Sequence, residues 1–214
     1  DNMMYFFECS TPSFPFSIVY EYEIEWSKGI LNFPTFVPQF NSNLSVEKAS
    51  YVLFAPIDTK ILIEGNSFIP EPVIGEKQGT RSYVWIVENL NPIVNEPFSP
   101  DFDERIPLLY IAPERFVFDN YEGSFASLKS MSDFQNSLNI GRNTLDEATK
   151  TKVAEMVKNT ISDREKVKIL YDYLGQTTRY ESIQLGIGGF QPMASGDVCK
   201  NGFGDCKGLS FYLQ

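Results

Sequence analysis

Cys206 lies in the run Asn201-Gly202-Phe203-Gly204-Asp205-Cys206-Lys207-Gly208-Leu209, where the neighbouring residue types suit a reactive thiol. Glycines at 202 and 204 allow a tight turn. Asp205 is a favoured N-cap type, and Leu209, Phe211, Tyr212 and Leu213 begin an apolar helical run. The spacing therefore predicts Cys206 as the first residue of a helix. There the unpaired N–H groups and the positive end of the dipole favour thiolate over thiol, the form a nucleophile needs. Asp205 reads as a plain cap, and Lys200 and Lys207 are the nearby cations. A cysteine nucleophile normally works with a base, usually His, oriented by a third polar group. The sequence contains no histidine. The backbone N–H of Cys206 is the natural oxyanion donor, with Tyr180 and Gln184 as side-chain candidates for an oxyanion or cleft role. The alternative is that Tyr180 packs and Gln184 is solvated. Phe190, Gln191 and Pro192 either line the cleft or anchor a glycine-rich loop.

The elements that must hold this motif change character along the chain. Residues 1–118 read as antiparallel β. From Ile18 to Trp26 the pattern alternates strictly, with Ile18, Tyr20, Tyr22, Ile24 and Trp26 on one face and Val19, Glu21, Glu23 and Glu25 on the other, which predicts a half-buried strand. Further strand-like runs occur at 46–54, 60–63, 81–88 and 108–111, separated by turns such as Lys77-Gln78-Gly79. Short strands with frequent turns predict a β-sandwich. From about residue 130 the period becomes helical, so residues 130–214 form a second, mostly helical unit in an α+β protein. Capping-box patterns place helix starts at Ser132, Thr144 and Ser162, and Gly175 is placed to end the third helix. Residues 177–203 then read as a long glycine-rich loop.

Three segments together carry a family resemblance: 162–174, then Thr178-Arg179-Tyr180, then Gly204-Asp205-Cys206-Lys207. They resemble the start of a bacterial transglutaminase-like domain, over the last quarter to third of the chain. The resemblance implies a papain-like fold in which Gly-Asp-Cys opens the central helix and Cys206 is the nucleophile of acyl transfer on amides. The His and Asp of such a site would lie on strands downstream of the cysteine, so the chain reads as truncated after the nucleophile motif and inactive alone. Tyr20-Glu21-Tyr22, Leu31-Asn32-Phe33-Pro34 and Val46-Glu47-Lys48-Ala49 are similar to the β-sandwich domain of unknown function that precedes such domains. Both resemblances imply a bacterial secreted, periplasmic or cell-surface protein acting on protein or peptide, including cell-wall peptide. The rival expectation is a surface binding or scaffolding protein whose catalytic site is degenerate.

Composition narrows the field from outside. A net charge of −10 with a pI near 4.6 argues against nucleic acid, because no basic patch is available for phosphates. Apolar runs are broken well short of the ~20 residues of a membrane-spanning helix. No cofactor is expected. The acidic groups Glu21-Glu23-Glu25 and Asp101-Asp103-Glu104 lack the spacing of a calcium loop and read as solvated, so no metal is expected either. Among Cys9, Cys199 and Cys206 at least one thiol is free. A Cys199–Cys206 disulfide is the alternative to a nucleophilic Cys206, and Cys9 reads as a small buried apolar residue.

Overall fold

A computed structural model describes residues 13–214 of the chain. Cys9 and the aromatic run Tyr5-Phe6-Phe7 lie outside the described residues. Strands β1 (Val46–Pro56), β3 (Val73–Lys77) and β4 (Thr80–Leu90) form an antiparallel sheet in the order β1-β4-β3. Strands β2 (Ile61–Gly65) and β5 (Leu109–Pro113) form a second antiparallel pair. Alternation along each strand sends Leu53, Tyr83, Trp85 and Val87 from the first sheet, and Leu109 and Ile111 from the second, into one shared core. Trp85, only 1% exposed, is the largest buried side chain there. It stacks on Tyr83 and meets the edge of Tyr51, each at 6.0 Å between ring centroids. Phe36 closes this core, exchanging backbone hydrogen bonds of 3.0 and 3.1 Å with Leu109.

A second apolar cluster begins where the first ends. Strands β6 (Arg115–Phe118) and β7 (Tyr121–Ser124) form a hairpin that packs on helix α1 (Leu128–Asn139), burying Phe116, Phe134 and Leu138. Asp119 and Asn120 at its tip both have positive φ (50° and 70°), as a type I′ turn requires. Between the clusters, the Glu114 N–H donates to the Lys60 carbonyl and the Glu114 carbonyl accepts the Phe125 N–H, both at 2.8 Å.

Gly123 faces the aromatic pair of the second cluster. A β-carbon there would stand 2.3 Å from Phe116 and 2.9 Å from Phe134. Gly123→Val is therefore expected to lower stability by roughly 1–3 kcal/mol through overpacking. Chemical denaturation measures this, and an unchanged midpoint would show that the rings give way.

Helices α2 (Glu147–Val157) and α3 (Asp163–Thr177) follow, and the protein is α+β as expected. Several local expectations need correction. Residues 18–26 belong to no sheet, and both of their faces are exposed, so the predicted half-buried strand is absent. Helix α1 is capped by Ser127, in a capping box with Ser130, and Ser132 lies inside the helix. Helix α2 is capped by Asp146, whose carboxylate accepts the Thr149 N–H at 2.7 Å, and not by Thr144. That backbone bond and a second one from the Thr149 hydroxyl hold the Asp146 carboxyl below its ordinary range. Helix α3 starts after Ser162 as expected, but the Ser162 side chain makes no capping hydrogen bond and the helix runs through Gly175 to Thr177. Its end is set by Thr178, whose N–H and hydroxyl both donate to the Leu174 carbonyl, at 2.9 and 2.7 Å.

Candidate active site

Residues 177–203 hold more structure than a loop. They contain a 3-10 turn (Gly186–Gly189), helix α4 (Ser195–Asn201) and the short strands β8 (Arg179–Tyr180) and β9 (Phe203–Gly204), the second ending just past the segment. The two strands pair in parallel, Arg179 with Phe203 and Tyr180 with Gly204. Flanking hydrogen bonds of 3.0 Å run from the Arg179 N–H to the Gly202 carbonyl and from the Glu181 N–H to the Gly204 carbonyl. The Arg179 guanidinium also lies over the Phe203 ring, 5.6 Å from its centroid. The Arg-Tyr step and the Gly-Asp-Cys motif, distant in sequence, are thus neighbours in space.

Helix α5 (Cys206–Leu213) begins at Cys206, as the motif predicts. Gly202 ends α4 in the left-handed region (φ 69°), which turns the chain back toward β8. Asp205 follows as the cap of α5. Its side chain is buried, one carboxylate oxygen accepting the Gly208 N–H at 2.8 Å and the other pairing with the Lys207 ammonium. Lys207 is therefore committed to Asp205, while Lys200 is exposed on the last turn of α4. Gly208 lets α5 approach closely, since a β-carbon there would lie 3.1 Å from Met193 and 3.4 Å from Val198. The geometry leaves the Cys206 thiol exposed at the first turn of a capped helix.

Cys199 is turned elsewhere. Both it and Cys206 are free thiols. The Cys199 sulfur lies 3.5 Å from the Thr149 hydroxyl, on α2, and is also hydrogen-bonded to Tyr212. Tyr212 sits six residues along α5 from Cys206, about 9 Å farther on at the rise of an α-helix. A Cys199–Cys206 disulfide would require this packing to break. Burial, then the contacts with Cys199 and Tyr173, keeps the Tyr212 phenol protonated to well above its ordinary range.

The remaining expected residues divide. Tyr180 is exposed opposite Gly204 in the parallel pair, so it flanks the motif without packing into a core. Gln184 is exposed, and no hydrogen bond joins its side chain to another described residue. Phe190 packs edge-on against Phe118 and Phe134, and Gln191 donates to the Tyr121 hydroxyl at 2.9 Å. Pro192 is fully buried. These three anchor the segment, and Gln191 and Pro192 also line a cavity of about 190 Å³ with Arg142, Met193, Asp197 and Asp205. Arg142 carries no signal in the sequence, because it lies between helices in a Gly-Arg-Asn turn without periodicity. Its carbonyl accepts the Ser195 N–H at 2.7 Å, tying the start of α4 to the end of α1.

Comparison of the sequence with protein-family models and with curated proteins gives no match. The fold does have a counterpart among solved structures. It is similar to the crystal structure of a candidate protease from Parabacteroides distasonis, with a TM-score of 0.55 and 16% identity over 85% of this chain. The chain spans 34% of the length of that protein. Identity this low speaks to the fold alone. No helix among the described residues is long and apolar enough to cross a membrane.

Proposed function

We propose that this chain carries the nucleophile of a cysteine enzyme that cleaves or exchanges amide bonds by acyl transfer, in a site of the transglutaminase-like, papain-like kind. The observation that carries the reading is the exposed Cys206 thiol on the first turn of a helix whose cap, Asp205, is buried and doubly bonded. In the reaction the thiolate attacks an amide carbonyl and the C–N bond breaks. Ammonia or an amine leaves with a proton, and water or a second amine then resolves the thioester. Peptide hydrolysis, deamidation and crosslinking share these steps, so the proposal covers all three. Oxyanion support falls first to the backbone N–H of Cys206. Tyr180, which pairs with Gly204, and Gln184, four residues farther on, are the secondary donors.

A second reading has one observation in its favour. Phe14, Tyr20 and Tyr22 are 77–84% exposed, as a binding protein without catalysis would have them. Thiol reactivity separates the two. Iodoacetamide is expected to modify Cys206 first and Cys199 much more slowly, because Cys199 is half-buried and hydrogen-bonded. Peptide mass spectrometry after brief exposure measures the order. An inert Cys206 beside a reactive Cys199 or Cys9 would overturn the nucleophile assignment.

A further inference from the structure

Every even-numbered residue from Phe14 to Trp26 is apolar or aromatic, and these side chains are between 44 and 84% exposed. The odd positions Glu21, Glu23 and Glu25 place three negative charges on the opposite face, and none of them is ion-paired among the described residues. No backbone hydrogen bond of residues 14–25 reaches another described residue. Strict period-two alternation is the mark of a strand with one covered face. An uncovered strip of this length, with its N–H and C=O groups unpaired among the described residues, is a template for strand addition.

The charges select the occupant. In a second copy paired antiparallel about Tyr22, Glu21 would oppose Glu23. Every antiparallel register that joins the apolar faces and is centred between residues 21 and 25 likewise sets glutamate against glutamate, which is destabilising. A register centred on Tyr20 avoids this but brings Pro15, which has no N–H to donate, into the ladder opposite Glu25. Neither edge of the chain's own three-stranded sheet has an alternating basic face: β3 is Val73-Ile74-Gly75-Glu76-Lys77, and β1 carries Lys48 as its single basic residue. We propose that residues 16–26 form a docking strand, added to the edge of a separate polypeptide strand that alternates apolar residues with Lys or Arg. Main-chain hydrogen bonds would supply affinity, and the glutamates would set the choice of partner.

The chain has two tryptophans, and one of them reports on this face: Trp26 is 52% exposed, whereas Trp85 is 1% exposed. The test titrates the intact chain with a synthetic peptide alternating valine with lysine, and with its counterpart alternating valine with glutamate. The basic peptide is expected to shift the emission to the blue saturably and to bind at least about tenfold more tightly than the acidic one, from three cross-strand charge pairs. Trp26→Phe should abolish the shift. The triple variant Glu21→Lys, Glu23→Lys, Glu25→Lys should reverse the preference, and hydrogen exchange should show protection gained within 16–26. Equal affinity for the two peptides, no shift with the basic one, or self-association through this segment at neutral pH would each overturn the proposal.

Discussion

Trp85→Ala is expected to destabilise the protein by about 3–5 kcal/mol, the cost of deleting a large buried aromatic side chain and leaving a cavity. The ring lies where both sheets contribute to the core, stacked on Tyr83 and edge-on to Tyr51, so no neighbour from a single strand can fill the space. A loss of that size is a large share of the roughly 5–15 kcal/mol that holds a typical domain folded. Trp26→Ala serves as the internal control. Trp26 is 52% exposed, and its replacement should change stability by no more than about 0.5 kcal/mol. Denaturant midpoints of the two variants measure the contrast. A Trp85→Ala cost below about 1 kcal/mol would mean that the sheets do not share the core described.

The second large effect concerns the proton. An amine leaving from a tetrahedral intermediate must be protonated, and general acid–base help is typically worth about 10²- to 10⁴-fold in rate. The chain has no histidine to supply it, and Lys207 is held on Asp205. A nitrophenolate leaves without a proton. The chain is therefore expected to be acylated by p-nitrophenyl acetate while releasing no ammonia from a glutamine peptide over many hours. In the acylation the thiolate sulfur bonds to the acetyl carbon, the C–O bond breaks, and the nitrophenolate carries away the electron pair. Repeated turnover of the glutamine peptide would show that another group of the chain supplies the proton.

The sequence discloses structure wherever the deciding contacts are local. The strands near 46–54 and 81–88 can be read because alternation lies within the segment itself, and the start of α3 because Ser162 is a residue type that favours the N-cap position, although its side chain makes no capping hydrogen bond there. The Cys206 helix start can be read for the same reason, since Asp205 caps it from the preceding position. Strand β3 escapes because all five residues are exposed on an edge, so neither face is selected for burial. Ser132 misleads because Ser132-Asp133-Phe134-Gln135 copies a capping box inside a helix that Ser127 has already opened. The hairpin of β6 and β7 has a local turn signal in Asp119-Asn120, but its four-residue strands are too short for alternation to mark them. Helix α4, with seven residues and a glycine at its second position, depends on Val198 packing against α5, a contact that no local pattern encodes. Residues 18–26 show the opposite case: the strand pattern is present, and no partner strand pairs with it among the described residues.

Whether Cys206 is the nucleophile is decided by the nitrophenolate burst, followed by peptide mass spectrometry of the acylated protein. Close to one equivalent should be released per chain, with acetyl mass on the peptide containing Cys206. The burst should vanish in Cys206→Ala and persist in Cys199→Ala. A burst that survives Cys206→Ala, or acetyl groups found on Cys199 instead, would contradict the assignment.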